Sequence, residues 1–215
     1  MSLRRFFKKE KQERRILRQI ERTGDQLQAE YHRATPECPH PERWRMFDSM
    51  TAEAEVLEFL RTAVTTLKPD LVVETGTFSG ISTLWIAEGL KANGRGRVIT
   101  CEFDHDIYEN AKVRIQASGL AEWIELRNES SLDMKVEGTI DLLFSDSDMS
   151  IREQEIRRFL PQINPYGLIL MHDASSHLKI VREAALKLER DGLISVVLLP
   201  TPRGLVVAQR REGRK

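Results

Sequence analysis

The chain has 215 residues, 40% of them hydrophobic, and carries 33 basic side chains against 33 acidic ones. That length buries one good domain and is short for two, while the cancelled charge leaves no bulk field to draw in nucleic acid or an acidic membrane. Cys38, in a proline-rich turn, and Cys101, in an expected buried strand, make no disulfide framework and imply a reducing, cytoplasmic setting; no apolar run reaches the roughly 20 residues that span a bilayer, and the charged start lacks the apolar core of a secretion signal.

The first predicted element is a basic helical arm. Residues 1–22 hold nine Lys or Arg and three Glu, a net charge of +6. Ile16, Ile20, Leu27 and Tyr31 form a narrow apolar stripe on a helix running to about Arg33, ahead of Pro36. Such a stripe needs a partner, either its own domain or a second subunit, which favours a homodimer formed through this helix. A basic face with Leu3, Phe6 and Phe7 also leaves open contact with a phosphate-rich nucleic acid or a membrane surface. Pro36, Pro39 and Pro41 mark a linker, in which Cys38 and His40 are turn residues rather than half of a metal site. Residues 1–45 are therefore read as arm and linker, and 46–215 as the domain.

Ala54, Val56, Leu57, Leu60, Ala63, Val64 and Leu67 recur at helical spacing and predict a helix over 51–67. Strands follow near 70–74, 97–102, 122–127, 140–145, 167–172, 193–199 and 204–210, with helices near 80–92, 105–117, 151–163 and 177–191. This alternation predicts a doubly wound, Rossmann-like α/β fold with a seven-stranded, mostly parallel sheet. Pro200–Arg203 is far too short for a parallel crossover, so the last two strands pair antiparallel and a reversed edge strand is expected.

In an open parallel sheet, ligands sit beyond the carboxyl ends of the strands. Those ends are polar here: Glu74, Glu102, Asn128-Glu129-Ser130, Asp146 and His172-Asp173. The run Leu71-Val72-Val73-Glu74 leads into a glycine turn, Gly76 to Gly80, and then a helix, so backbone and ligand can approach closely at the junction. Glu102 lies 26 residues beyond Gly76, at a spacing where an acidic side chain accepts both hydroxyl protons of a ribose. Phe78 and Ile81 stand where a dinucleotide fingerprint needs glycine, so a pyrophosphate would meet bulk.

The acidic-x-Gly turn, the acidic end of the next strand and the terminal reversed strand over 204–209 together resemble the class I S-adenosylmethionine-dependent methyltransferases, over about residues 46–210. Four segments are similar to the small-molecule O-methyltransferase branch that includes catechol and caffeoyl-CoA enzymes: Phe47-Asp48-Ser49-Met50, Glu74 to Gly80 with Ser82, Asp141 to Asp148, and Gly167 to Asp173. The resemblance implies S-adenosylmethionine as cofactor, with Glu74, Gly76, Phe78 and Ser82 around its methionine part. Thr77 and Gly80 belong to the same turn, Glu102 takes the ribose, Phe103 and Ser130 the adenine, and Met50 the roof. Asp146 stands beside the methyl donor.

It also implies that Asp146 and Asp173 help hold a divalent cation such as Mg²⁺ and, with His172, carry the catalysis. The chain departs from that branch at Ala174, where the metal-dependent enzymes have Asn, and at Met149, where catechol enzymes have a Lys base. Asp148 could supply a replacement oxygen and His172, with an ordinary constant near neutrality, could act as base, so a metal-free mechanism stays open beside the metal-dependent one. The expected acceptor is a small hydroxylated molecule, because the Asn- or Asp-Pro-Pro-aromatic turn of amine methylation is missing after the fourth strand. Asn164-Pro165-Tyr166 is expected to be only a turn before the fifth. Two other classes stay open: an RNA- or membrane-directed methyltransferase guided by the arm, and a cofactor-binding adapter without acceptor chemistry.

Overall fold

A computed structural model describes residues 50–175 and 179–211. The basic arm and its stripe, Cys38 and His40, the Phe47-Asp48-Ser49 segment and residues 176–178 lie outside the described residues. Among the described residues five helices, α1 (Ala54–Leu67), α2 (Ile81–Asn93), α3 (His105–Ala117), α4 (Arg152–Phe159) and α5 (Ile180–Arg190), alternate with seven strands. These are β1 (Leu71–Thr75), β2 (Arg97–Glu102), β3 (Ile124–Asn128), β4 (Ile140–Ser145), β5 (Ile163–His172), β6 (Ile194–Leu199) and β7 (Leu205–Arg210). They form one sheet in the order β3-β2-β1-β4-β5-β7-β6, parallel through β5.

The period of two in the strands decides which helices cover which face. Val73, Ile99, Leu143 and Ile169 pack on one side with Ile156 and Phe159 of α4 and Val181, Ala185 and Leu188 of α5. Their sequence neighbours Val72, Val98, Leu142 and Leu170 pack on the other with Leu57, Leu60 and Val64 of α1 and Trp85, Ile86 and Leu90 of α2. Every one of these side chains is at most 1% exposed, and each Val, Leu, Ile or Phe among them contributes about 1.5–3 kcal/mol of burial. β1 is buried along its whole length, as its β-branched run requires.

Three expectations need correction. β7 does pair antiparallel with β6, but it is not at the edge: it is inserted between β5 and β6. Leu205, Val206 and Ala208 are buried, whereas β6 exposes Ser195 and Val197, so the strand with more to bury takes the inner place. The helix expected over 151–163 ends at Phe159, where Pro161 gives a short 3₁₀ turn over Leu160–Gln162. β5 accordingly begins at Ile163, and Asn164-Pro165-Tyr166 is an irregularity inside it, with the Tyr166 amide donating to Asn164 Oδ1 at 3.0 Å and a register shift against β4.

The order reverses between β1 and β4, which run side by side but leave their ends toward helices on opposite faces. A cleft of about 710 Å³ opens beyond those ends.

Candidate active site

The wall at the ends of β1 and β2 is held by neutral donors. Gly76, at φ 86°, turns the chain so closely past β4 that a Cβ would lie 2.5 Å from the Asp146 carbonyl oxygen. Its amide and that of Thr77 both donate to Cys101 O, and Thr77 Oγ1 bonds Thr100 Oγ1 at 2.6 Å. Glu102 accepts the Phe78 amide at 2.9 Å and the Asp104 amide at 3.0 Å, so its carboxylate ties the glycine turn to the start of α3. Asp104 in turn caps α3 through the amides of Asp106 and Ile107.

Glu74 is completely buried and does not reach the cleft. Thr83 and Thr100 hydroxyls donate to its Oε2, the second at 2.7 Å, while Oε1 has no hydrogen-bond partner. Burial without a cation pushes this carboxyl up to about 7, against the partial opposition of the Ser82, Thr83 and Thr100 hydroxyls. Glu155 of α4 is caged in a similar way, accepting from Thr75, Ser131, Ser145 and Ser147 and so joining the ends of β1 and β4 to the segment after β3.

The wall at the ends of β4 and β5 is ionic. Arg152, 1% exposed, donates to the carbonyls of Ser145 and His172, both at 2.8 Å, to Asp146 Oδ1 at 3.2 Å and to Asp173 Oδ2 at 3.4 Å. His172 is fully buried, with Nε2 donating to Glu53 Oε2 at 2.6 Å and Nδ1 lying 3.2 Å from Asp146 Oδ1. Arg203, in the turn between β6 and β7, places Nε on Asp173 Oδ1 at 2.7 Å and Nη1 on Met50 O at 2.9 Å, while its amide donates to Glu53 Oε1 at 2.5 Å. Burial works against charge on Glu53 and on His172, but each is the other's counter-ion. The His172 contact holds Glu53 below the usual carboxylate range, and the Asp146 and Glu53 carboxylates hold the imidazole above its ordinary value.

The expectation of His172 as base therefore fails. Its ring lies behind the cleft wall with both nitrogens facing carboxylates, which favour the imidazolium and leave neither nitrogen directed at an acceptor. Asp148 lines the cleft but stands outside the cluster that Asp146, His172 and Asp173 form; its Oδ1 accepts the amide and hydroxyl of Ser150 at 2.7 and 2.6 Å, a turn leading into α4. Asp146, His172 and Asp173 do have ligand atoms within 4.8 Å of one another. The donor set nevertheless does not fit Mg²⁺, which needs hard oxygens near 2.0–2.1 Å in octahedral array. Guanidiniums already bond Oδ1 of Asp146 and both oxygens of Asp173, both imidazole nitrogens face carboxylates, and Ala174 offers no side-chain oxygen.

Of the residues expected around a cofactor, Met50, Gly76, Phe78, Glu102, Phe103, Ser130 and Asp146 line the one cleft, joined by Asp148 and Asp173. Phe103 is 79% exposed at its rim and Met50 58%. Thr77, Gly80 and Ser82 stand behind the lining, Gly80 as the residue that starts α2 at φ 79°. Arg152, Glu155, Glu53 and Arg203 were not anticipated. A signal for two of them exists: Arg152, Glu155, Ile156 and Phe159 fall at i, i+3, i+4 and i+7, placing two charges on the buried stripe of α4.

Residues 73–174 match the profile of a methyltransferase domain family. Over 155 residues, 65% of this chain and 70% of the relative, the chain is 29% identical to a protein of Mycobacterium sp. (strain JLS) that carries an O-methyltransferase name. It is 39% identical over 80 residues to a catechol O-methyltransferase of Mycobacterium tuberculosis, an alignment covering 36% of each. An O-methyltransferase from Bacillus cereus, solved with S-adenosylhomocysteine, superimposes with a TM-score of 0.68 at 21% identity, covering 76% of this chain and 84% of that one, which establishes a shared fold.

Proposed function

We propose that this chain is an S-adenosylmethionine-dependent methyltransferase, a reading that its domain match, relatives and fold support, and that it moves a methyl group to a hydroxyl oxygen of a small acceptor. The observation that carries this reading is one cleft, of a volume usual for small ligands, that joins a carboxylate suited to a ribose diol (Glu102) to a carboxylate beside the glycine turn (Asp146). When bound, the cofactor supplies an activated methyl: its S–C bond breaks with the electron pair left on sulfur as the acceptor oxygen forms the new O–C bond.

The chain's own residues then have three tasks. Glu102, already organised by two backbone amides, would take the diol, with Ser130 and the exposed Phe103 ring offering polar and stacking contact to the base. Gly76 keeps the glycine turn against Asp146, so that the two halves of the cleft share a wall. Asp146 bonds Arg152 and His172 through Oδ1, leaving Oδ2 to accept the hydroxyl proton of an aligned acceptor. A cytoplasmic setting and a homodimer through the N-terminal helix belong to the same proposal; two cysteines without a disulfide pattern and the apolar stripe support them.

Calorimetric titration with S-adenosylhomocysteine, followed by isotopic methyl transfer to a panel of phenols, tests the reading. Micromolar binding and labelled methyl ether are expected, and an Asp146→Asn variant should bind the product cofactor while losing about 10²- to 10⁴-fold in kcat. Absence of binding at millimolar ligand would refute it.

A further inference from the structure

Asp173 sits at φ 66°, a left-handed conformation rarely taken by residues other than glycine, which turns its carboxylate into the junction between β5 and the β6–β7 turn. The next two amides, Ala174 and Ser175, donate to Gly204 O at 3.1 Å and Arg203 O at 2.7 Å, so the turn carrying Arg203 is bolted to the end of β5. Gly204 allows this closeness, since a Cβ there would fall 2.3 Å from the Ser175 amide nitrogen. The result is a guanidinium brought from a distant hairpin to the cleft wall.

The two arginines of the site differ in what they face. Arg152 is sealed behind the lining at 1% exposure and bridges Asp146 and Asp173, which neutralises their mutual repulsion. Arg203, 18% exposed, is part of the lining itself. Guanidiniums stay charged at any working pH, so each of the two carboxylates already faces a fixed cation. A divalent ion added to this set would meet the repulsion of those cations at close range.

We propose that the Arg203 guanidinium, clamped on Asp173 in the cleft wall, supplies the fixed positive charge toward the acceptor oxygen, so that methyl transfer in this protein proceeds without a divalent cation. The inference rests on the proposed function above and specifies how the acceptor is activated. The acceptor O–H gives its proton to Asp146 Oδ2. The oxygen pair so released, stabilised by the neighbouring cation, forms the O–C bond while the S–C pair departs to sulfur. Arg203 acts here as a positioning and charge-supplying residue, and acceptors whose hydroxyls ionise readily, phenols above all, suit it best.

The test uses the full-length protein loaded with S-adenosylhomocysteine and stripped with chelator. Titrated with Mn²⁺ and followed by electron paramagnetic resonance, it should leave the free-ion signal undiminished at millimolar metal. Stoichiometric Mn²⁺ uptake that Asp173→Asn removes would overturn the proposal. In the same metal-free sample, the ionisation of bound 4-nitrocatechol, read by absorbance, should occur about 1–3 pH units below that of the free dye. Arg203→Met should return it toward the free value and Arg203→Lys should keep part of the shift, with cofactor-product affinity measured alongside by calorimetry so that any loss transmitted through the Arg203 contact to Met50 O is separated from the change in dye ionisation. A dye that ionises as it does in water or fails to bind overturns the role of Arg203, and a shift that appears only after Mg²⁺ is restored overturns the metal-free step as well. Failure to bind S-adenosylhomocysteine would instead remove the functional reading beneath it.

Discussion

Glu53 and Glu74 are both fully buried glutamates near one cleft, yet their surroundings move their acidities in opposite directions. Glu53 meets an imidazolium and a backbone amide and is held low. Glu74 meets only hydroxyls and keeps one oxygen without a hydrogen bond, so it is pushed up to about 7. The contrast extends to the two walls they belong to. On the proposed function, neutral donors organise the ends of β1 and β2, where the cofactor would bring its own positive charge, and guanidiniums organise the ends of β4 and β5, where an acceptor oxygen would become negative. Each wall lacks the charge that its ligand supplies.

Removing the ionic wall should have the largest effect. Arg152→Ala leaves Asp146 and Asp173 facing each other without their bridge, and a loss of about 3–5 kcal/mol of unfolding free energy is expected by urea denaturation. A change below 1 kcal/mol would show that the cluster is solvated rather than buried. The neutral wall should break differently, through shape. Gly76→Ala combines a left-handed backbone with a Cβ inside 3 Å of the Asp146–Ser147 backbone, for about 2–4 kcal/mol and a parallel loss of cofactor-product binding. Retention of both would mean that the turn moves freely past β4.

A smaller and more selective effect is expected at Glu102. Replacing it by Ala should weaken S-adenosylhomocysteine binding by about 1.5–3 kcal/mol, read by calorimetry, while adenine alone loses little. Equal loss for both ligands would place Glu102 away from the sugar.

The smallest effects are in the pH dependence, and their signs differ between the walls. Glu74, ordinarily 4.5 and here about 7, binds its proton more tightly when folded, so its contribution is complete below pH 4.5 and is lost as pH rises through 7. Glu74→Gln should flatten the stability curve in that window and gain about 1 kcal/mol at pH 8. Glu53, lowered from 4.5, contributes above that value and loses its contribution on acidification. His172, raised from 6.5, contributes below that value and loses its contribution toward alkali. A His172→Gln variant should therefore lose the alkaline slope and, by removing the counter-ion that holds Glu53 low, gain a new step above 4.5 as buried Glu53 takes up a proton. Combining it with Glu74→Gln should leave only that Glu53 step; a step that vanishes in the double variant would mean that the two walls titrate as one unit.

Much of the molecule could be read along the chain because the deciding interactions are local or periodic. The branched run at Val72-Val73, the turn at Gly76 to Gly80 and the helical spacing of Leu57, Leu60 and Val64 each announce their element, and the carboxyl ends of parallel strands mark the cleft before any coordinate is known. Glu102, Asp146 and Asp173 were legible on that ground, as polar residues closing apolar strands. The partners of those carboxylates were not. Arg203 lies 30 residues beyond Asp173, and Glu53 lies 119 residues before His172. In a chain where nearly a third of residues are charged, no spacing rule selects one pair at such distances. Local pattern therefore settles where strands end and which groups stand there. Only the closed tertiary structure, which decides whether a buried carboxylate meets a hydroxyl or a guanidinium, settles its charge and hence its chemistry, because electrostatic energy in a low-dielectric interior depends on the nearest neighbours in space and not in sequence.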